Sequence, residues 1–244
     1  MAAREVLFSL VEKALFRPFP GLYRRLYSIY KARSDRAERA VFNRYIQAGD
    51  IVADVGSNIG IYTRYFSDIV GAQGMVHAFE PEGRNFGLLT QAVAGRPNVK
   101  ANHGAVGAVT ETIHLHVSAD LNVDHRTYAT GENRETVPVQ CHALDDYFAP
   151  GAKVDFIKLD IQGYEFQALQ GMSRVLDDNP GVKILLEYFP QGLRGNGVTT
   201  TQLRGFLISK GFTLYELTPE GKCPLDEREP LIGAAGYTNL FAKR

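Results

Sequence analysis

Hydrophobic and polar residues alternate with two periods along the chain, and these periods predict an ordered series of strands and helices. Runs of strand length occupy residues 51–55, 75–79, 99–102, 154–160 and 182–186, and the first of them is apolar and rich in β-branched residues. Predicted helices follow three of these runs, at residues 61–66, 83–94 and 161–176. Strands that alternate with helices are typical of a doubly wound, mostly parallel α/β sheet.

The second half of the chain adds strands of a different kind. Residues 112–117 and 136–141 alternate apolar and polar side chains, which predicts two half-buried strands outside the regular strand–helix order. A helix is predicted over residues 200–210, and strands over 213–217 and 237–242. The polar, proline-rich connection 219–236 reads as a surface loop.

The N-terminal arm, residues 1–45, differs from the rest in charge. It holds ten Lys or Arg and four Asp or Glu, so it carries +6 and the remainder −6. Residues 6–15 have one apolar helical face, 21–33 are aromatic and basic, and 35–47 form a third predicted helix. We favour helices packed over a main domain of residues 46–244, since amphipathic helices mostly bury against their own domain. A peripheral contact with an anionic membrane surface or an acidic partner is the alternative.

Composition narrows the functional classes. An apolar content of 45% and a charged content of 22% are those of a globular chain, and a formal net charge of zero argues against a dedicated nucleic-acid binder. Two cysteines without a C-x-x-C pair suggest a reducing compartment, so a cytoplasmic location is expected. Charged residues interrupt the N-terminal apolar positions, unlike a secretory signal. No pattern specifies an oligomeric state.

A glycine turn follows the first predicted strand and is the clearest sign of a ligand site. Asp54 precedes Gly56 and Gly60 in the sequence D-V-G-S-N-I-G, and a helix follows. This spacing lacks the G-x-G-x-x-G of a dinucleotide site, and an acid there would repel a pyrophosphate. Asp54 suits a ligand ammonium, and Glu80, at the end of the second strand, suits a ribose diol. Either acid could instead cap a turn or helix.

A second polar group lies at the end of the fourth predicted strand. Lys158 and Asp160 are two residues apart and therefore point to the same side of the strand. Burying a lysine and an aspartate at a strand end costs folding free energy unless the two side chains pair or serve a function. A structural ion pair and an active site are therefore the two explanations. If the next strand is a neighbour, Glu187 faces the same crevice.

Together these residues resemble the FkbM family of S-adenosylmethionine-dependent methyltransferases. The motifs are D-V-G-S-N-I-G (54–60), A-F-E-P (78–81), A-L-D-D-Y (143–147), V-D-F-I-K-L-D-I-Q-G-Y-E (154–165) and L-L-E-Y-F-P (185–190). The fourth motif is the most family-specific. Many members have Glu where this chain has Gln162, which weakens any role assigned to that position. The arm lies outside the resemblance.

The resemblance implies the class I methyltransferase fold, a Rossmann-like seven-stranded sheet with an antiparallel last strand. It implies S-adenosyl-L-methionine as the cofactor and a hydroxyl of a sugar, glycolipid or polyketide-like natural product as the acceptor. The expected cofactor residues are Asp54, Gly56, Ser57, Asn58, Gly60, Glu80 and Pro81. The candidates for acceptor contact are Arg126, Gln162 and Glu165.

Three routes for the acceptor's proton stay open. His125 on a polar loop could be the base, because histidine titrates near neutral pH. Asp160 could be the base, with Lys158 tuning it or orienting the acceptor. Asp160 and Glu187 could instead hold a divalent ion such as Mg²⁺ that lowers the pKa of the hydroxyl. The metal-free routes are favoured, and Asp160 is the leading candidate.

Two other functional classes compete with a methyltransferase. A nicotinamide dehydrogenase would use a similar fold, but the glycine spacing does not support it. A binding or membrane-adaptor protein with weak catalysis would use the basic arm and keep the nucleoside pocket. The intact set of Asp54, Gly56, Gly60 and Glu80 favours a usable ligand site.

Overall fold

Parallel strands form the centre of the molecule. The structure, a computed structural model, describes residues 15–16, 18–118, 126–127, 134–218, 221–225, 229–230, 232 and 236–244. Within these residues the strands are β1 (Ile51–Val55), β2 (Met75–Glu80), β3 (Val99–His103), β4 (Ala105–Val106), β5 (Glu111–Val117), β6 (Glu135–His142), β7 (Phe156–Leu159), β8 (Lys183–Tyr188), β9 (Thr213–Thr218), β10 (Gly221–Pro224) and β11 (Thr238–Lys243). The predicted helix over residues 6–15 lies largely outside the described residues.

Helices connect these strands and flank the sheet. Those in the described ranges are α1 (Pro20–Ser34), α2 (Arg36–Tyr45), α3 (Ile61–Val70), α4 (Gly83–Ala92), α5 (Leu144–Tyr147), α6 (Glu165–Gln170), α7 (Ser173–Asp178), α8 (Pro190–Gly195) and α9 (Thr200–Ser209). Among the described residues, no helix is both long enough and apolar enough to cross a bilayer.

The main sheet has the order β10-β9-β11-β8-β7-β1-β2-β3. Five neighbouring strands, β3, β2, β1, β7 and β8, pair in parallel. Strand β11 runs antiparallel to both of its neighbours, β8 and β9. The seven-stranded frame with an antiparallel last strand is therefore confirmed, and β10 adds an eighth strand at one edge.

Both faces of the sheet are covered, as in a doubly wound fold. On β7 and β8, Ile157 and Leu186 pack into one cluster with α6, α7 and α9. Phe156 and Leu185 point to the other face and pack with α2 and α3. The near-continuous apolar runs of these strands follow from burial on both sides.

A second, three-stranded sheet of order β4-β6-β5 is inserted between β3 and β7. Strands β5 and β6 are the two half-buried strands that alternation predicts, and they pair in antiparallel. Arg126, from the connection between them, forms an antiparallel bridge with His116.

The predicted continuous helix over residues 161–176 is wrong, because the first helix begins only at Glu165 and the chain turns between α6 and α7. Asp145 causes the interruption: its side chain accepts hydrogen bonds from Arg174 N at 2.9 Å and Val175 N at 2.9 Å, so a new helix begins there. Gly171 lies at the turn, where a Cβ would fall 1.9 Å from the carbonyl oxygen of Gly107.

The predicted surface loop over residues 219–236 is also wrong in part, because Gly221–Pro224 forms β10. It pairs with β9 in antiparallel. The Lys222 ammonium lies 4.6 Å from the ring centre of Tyr45 and 5.1 Å from that of Phe241, so cation–π contacts hold this edge strand.

Helix α8 packs closely on the loop that follows β7. A Cβ on Gly163 would lie 2.3 Å from the backbone carbon of Gly192, and Gly163 has φ +98°. Asn196 Nδ2 donates to the carbonyl of Gly163 at 3.1 Å. The position of this loop therefore depends on a glycine that has no room for a side chain.

We expect Gly163→Ala to destabilise the protein by about 1–3 kcal/mol or more, because positive φ and a backbone clash act together. Gly205→Ala is the matched control: Gly205 lies within α9 with no atom near its Cβ position. That change is expected to raise the free energy of unfolding by about 0.5–1 kcal/mol. Chemical denaturation measures both, and equal effects of the two substitutions would contradict this account of the loop.

Candidate active site

Three polar side chains line up across adjacent strands near their carboxyl ends. Asp54 on β1 is in direct register with Lys158 on β7. Glu187 lies near the end of β8, two residues after Leu185, which is in register with Lys158. Phe156 and Leu185 face α2 and α3, so by the strand period Lys158 and Glu187 face the same side.

Lys158 is the centre of this group and is buried. Its Nζ lies 3.2 Å from Asp160 Oδ2 and 3.7 Å from Asp54 Oδ1. Burial alone lowers the pKa of Lys158, but Asp160 and Asp54 outweigh it and the net pKa is raised. The lysine is therefore a cation under working conditions.

Asp160 is the acid that reaches solvent. Its side chain is 40% exposed, whereas that of Asp54 is fully buried. Burial raises the pKa of Asp160, but the ammonium groups of Lys158 and Lys31 more than compensate, and the net pKa is lowered. Asp160 is thus an ionised carboxylate beside a fixed cation, open to an incoming molecule.

Asp54 is held from inside the protein. Its Oδ2 accepts a hydrogen bond from Thr63 Oγ1 at 2.6 Å, and burial raises its pKa. Its Oδ1 is buried without a hydrogen-bond partner, although Lys158 is 3.7 Å away. The expected contact with a ligand ammonium stays a prediction; in the structure the nearest ammonium is that of Lys158.

The loop after β1 has the backbone shape that the sequence predicts. Gly56, Asn58 and Gly60 all have positive φ, at 78°, 48° and 82°. A Cβ on Gly56 would lie 1.9 Å from the carbonyl oxygen of Asp160. The glycine therefore lets the loop after β1 touch the chain that follows β7.

Ser57 joins β1 to β2 in this loop. Its hydroxyl donates to the carbonyl of Asp54 at 2.6 Å and accepts from Phe79 N at 3.1 Å. Its own N–H donates to the carbonyl of Phe79 at 3.0 Å. These contacts fix the loop in place before any ligand binds.

Glu80 joins the same loop from the end of β2. Its carboxylate accepts hydrogen bonds from Asn58 N at 2.8 Å and Glu82 N at 3.0 Å. Burial raises the pKa of Glu80 to about 7. Pro81 follows directly and is partly buried. Positive-φ glycines, a buried oxygen without a partner on Asp54 and an acid at the second strand end fit a ribose-bearing, cationic cofactor.

Gln162 and Glu187 form a pair on the other side of Asp160. The Gln162 amide donates to both carboxylate oxygens of Glu187, at 3.2 and 3.1 Å. Gln162 has φ +57°, which is uncommon outside glycine. Burial, with repulsion from Asp160 and Glu165, raises the pKa of Glu187 well above its usual range.

Glu165 supports the loop after β7 from the protein interior. It is fully buried, and its Oε1 accepts hydrogen bonds from Ile161 N at 3.1 Å and Gly163 N at 3.3 Å. Burial raises its pKa to about 7. These contacts support a role in positioning the loop, while direct contact with an acceptor stays a prediction.

Of the predicted acceptor loop, Arg126 is described and His125 lies outside the described residues. The Arg126 guanidinium lies 5.8 Å from the ring centre of Phe189, two residues beyond Glu187. Thr127 Oγ1 donates to Asn196 Oδ1 at 2.9 Å. The loop therefore reaches the rim of the crevice at the β8 end.

Sequence reasoning missed three side chains at this crevice. Lys31, on α1, pairs with Asp35 at 2.6 Å and lies 5.6 Å from the ring centre of Tyr62. The Tyr62 hydroxyl donates to Asp35. Because Lys31 also acts on the pKa of Asp160, the arm contributes charge to the site. The only signal in the sequence was the K-x-x-x-D spacing, which is common on helices.

The described residues hold no group of three or more His, Cys, Asp or Glu arranged for a metal ion. The two acids considered as Mg²⁺ ligands each bond to a side-chain donor, Asp160 to Lys158 and Glu187 to Gln162. A divalent cation between these two acids would have to displace the Lys158 ammonium and the Gln162 amide from their oxygens.

Solved structures share the fold of this chain. A candidate rRNA methylase from Clostridium thermocellum superposes with TM-score 0.51 at 13% identity, over 84% of this chain and 92% of the other. A candidate methyltransferase from Streptococcus mutans, SMU.1697c, solved with S-adenosylhomocysteine, gives 0.51 at 10% identity, over 85% and 97%. The predicted class I S-adenosylmethionine-dependent methyltransferase fold is thereby confirmed.

A curated relative is the hexuronic acid methyltransferase AglP of Haloferax volcanii. It is 24% identical over 155 residues, which are 61% of this chain, and the match spans 62% of the relative's length. The profile of the methyltransferase FkbM domain matches residues 54–214, more than half of the chain. The protein therefore belongs to the FkbM family of S-adenosylmethionine-dependent methyltransferases.

Proposed function

We propose that this methyltransferase transfers the methyl group of S-adenosylmethionine to a hydroxyl oxygen of an acidic sugar. The observation that carries the proposal is the Lys158–Asp160 ion pair, an exposed carboxylate beside a buried cation at the carboxyl edge of the sheet. Ligands of open α/β sheets bind at this edge. When bound, the cofactor supplies a methyl group already activated on a sulfonium.

The loop after β1 and the end of β2 would hold the cofactor. The backbone turn at Gly56–Gly60 gives close approach, Glu80 would accept from the ribose hydroxyls, and the unpartnered oxygen of Asp54 favours positive charge nearby. Gly56 brings this loop against Asp160, so the cofactor and the acceptor sites are adjacent.

Asp160 is the group best placed to receive the acceptor's proton. The O–CH₃ bond forms as the S–CH₃ bond breaks, and the hydroxyl proton passes to a carboxylate oxygen of Asp160. The acceptor oxygen must be held in line with the methyl, and alignment supplies much of the rate. Glu187 is less accessible, because it is buried and bonded to Gln162.

The acidic nature of the acceptor is supported by charge at the rim. Lys31 and Arg126 lie at opposite ends of the crevice, near Tyr62 and Phe189 respectively. The relative AglP acts on a hexuronic acid, as its name states. A guanidinium binds a sugar carboxylate in a bidentate manner, which a neutral sugar cannot match.

The first test separates cofactor binding from turnover. Asp54→Ala and Glu80→Ala are expected to weaken binding of S-adenosylhomocysteine about 10-fold or more, because the first removes the partner proposed for the ligand ammonium and the second removes the partner proposed for the ribose hydroxyls. Asp160→Ala is expected to cut turnover about 100-fold with the affinity kept. Isothermal titration calorimetry and a methyl-transfer assay measure both, and the reverse order would overturn the site assignment.

The second test is the pH dependence of kcat at saturating cofactor. The pKa of Asp160 is held below its usual value, so kcat should stay level from about pH 8 to about pH 5. Lys31→Gln removes a positive charge, raises the pKa of Asp160 and should move the acidic limb to higher pH. A limb near pH 6.5 that disappears in His125→Asn would instead assign the base to His125.

The third test concerns the acceptor. Arg126→Gln should raise KM for a glucuronate-terminated acceptor about 10-fold while changing kcat little, because the charge-assisted hydrogen bond is lost. The matched glucose-terminated acceptor should be poor with the native protein and unaffected by the change. Equal use of both acceptors would rule out acidic specificity but leave hydroxyl methylation standing.

A further inference from the structure

The outward side of helix α1 carries a line of exposed apolar residues. Phe19, at the N-cap, and Leu22, Leu26 and Ile29 within the helix are between 38% and 60% exposed. Their spacing of three, four and three residues places them on one side of the helix. Half of the large exposed hydrophobic residues in the described part of the chain belong to this one line.

A basic cleft runs alongside this apolar line. Its volume is about 780 Å³, and it lies between α1, α2 and α3. Four arginines line it: Arg24, Arg25, Arg39 and Arg64. Leu22 and Ile29 belong both to the cleft and to the apolar line, so the two features form one continuous surface.

The positive charge of the cleft is not neutralised within the described residues. The acid in its lining, Asp68, is paired with Arg96 at 2.6 Å. Arg24, Arg25 and Arg64 form no ion pair within the described ranges, and burial together with the charge of Arg64 lowers the pKa of Arg24. The Nε of Arg39 is buried without a hydrogen-bond partner.

Arginines held together with no counter-charge among the described residues favour an anionic ligand. The line of exposed apolar residues next to them favours a ligand that also presents an apolar surface. A second copy of the chain is a poorer fit, because symmetric pairing through this surface would bring like charges face to face. A membrane with anionic lipids offers both partners side by side: phosphate headgroups for the arginines and acyl chains for the apolar residues.

We propose that the outward side of α1 and its arginine cleft dock on an anionic membrane surface. Phe19, Leu22, Leu26 and Ile29 enter the boundary between headgroups and acyl chains, and the arginines bind lipid phosphates. The proposal does not depend on the identity of the methyl acceptor. Lys31, near the C-terminal end of the same helix, pairs with Asp35 at 2.6 Å and lies 5.6 Å from the ring centre of Tyr62, so this side of α1 faces the protein.

The test is co-sedimentation of the full chain with phosphatidylcholine vesicles that contain or lack 30% phosphatidylglycerol. The native protein should bind only the anionic vesicles, and 0.5 M salt should weaken the binding, because screening shortens the range of surface charge. Arg24→Gln with Arg25→Gln should weaken binding about 25-fold, at about 5-fold for each arginine near the surface. Leu22→Asn with Ile29→Asn should also weaken it at least 10-fold.

Two controls keep these changes interpretable. Lys183→Gln with Lys243→Gln removes the same charge from residues that face each other where β8 begins, far along the strand from the crevice. Ile208→Asn removes an apolar residue of similar exposure from α9. Neither should change vesicle binding, and circular dichroism should show every variant folded.

Three outcomes would overturn the proposal. They are no binding by the folded native protein, equal loss in the control variants, and a dimer by light scattering that only Leu22→Asn with Ile29→Asn disrupts. Methyl transfer to a water-soluble acceptor is expected to be unchanged both in Arg24→Gln with Arg25→Gln and in Leu22→Asn with Ile29→Asn. Failure of vesicle binding would therefore leave the proposed activity intact. Failure of the proposed activity would likewise leave the proposed membrane contact intact.

Discussion

A lysine ammonium buried between two carboxylates is the interaction on which the site depends. Lys158 lies within 3.7 Å of Asp54 and 3.2 Å of Asp160, and it is nearly inaccessible to solvent. Burying an isolated charge costs several kcal/mol, and removing one partner of such a pair typically costs about 3–5 kcal/mol. The same contact connects β1 to β7 at the edge where ligands bind. The stability of the fold and the proposed chemistry therefore depend on the same three residues, Asp54, Lys158 and Asp160.

Helix α1 extends this arrangement beyond the matched domain, which begins at Asp54. Its inner side brings Lys31 to Asp35 and Tyr62, over the crevice that contains Asp160. Its outer side carries the apolar line, and Arg24 and Arg25 of the same helix line the cleft that it forms with α2 and α3. One helix thus contributes both to an exposed basic and apolar surface and to the crevice that contains Asp160, and the composition of each side has its own physical reason.

The sequence predicted most of the fold because strand and helix periods are local properties. It predicted the positive-φ turn at Gly56 and Gly60, because the positions of the glycines can be read directly from the sequence. It could not predict the Asp54–Lys158 register, which depends on β1 and β7 being neighbours across a hundred residues. Lys31 was missed for the same reason, and the break before α7 was missed because its cause, the cap by Asp145, comes from another helix.

Several motif residues hold the backbone around the site in position. Asp145 of A-L-D-D-Y caps α7, and Glu165 holds the loop after β7. Gln162 is different, because many family members carry Glu there. Its amide donates to both oxygens of Glu187, where a carboxylate would face Glu187 and Asp160 with like charge. With an amide at this position the crevice carries one negative charge fewer than with a glutamate, which is consistent with the anionic acceptor proposed above.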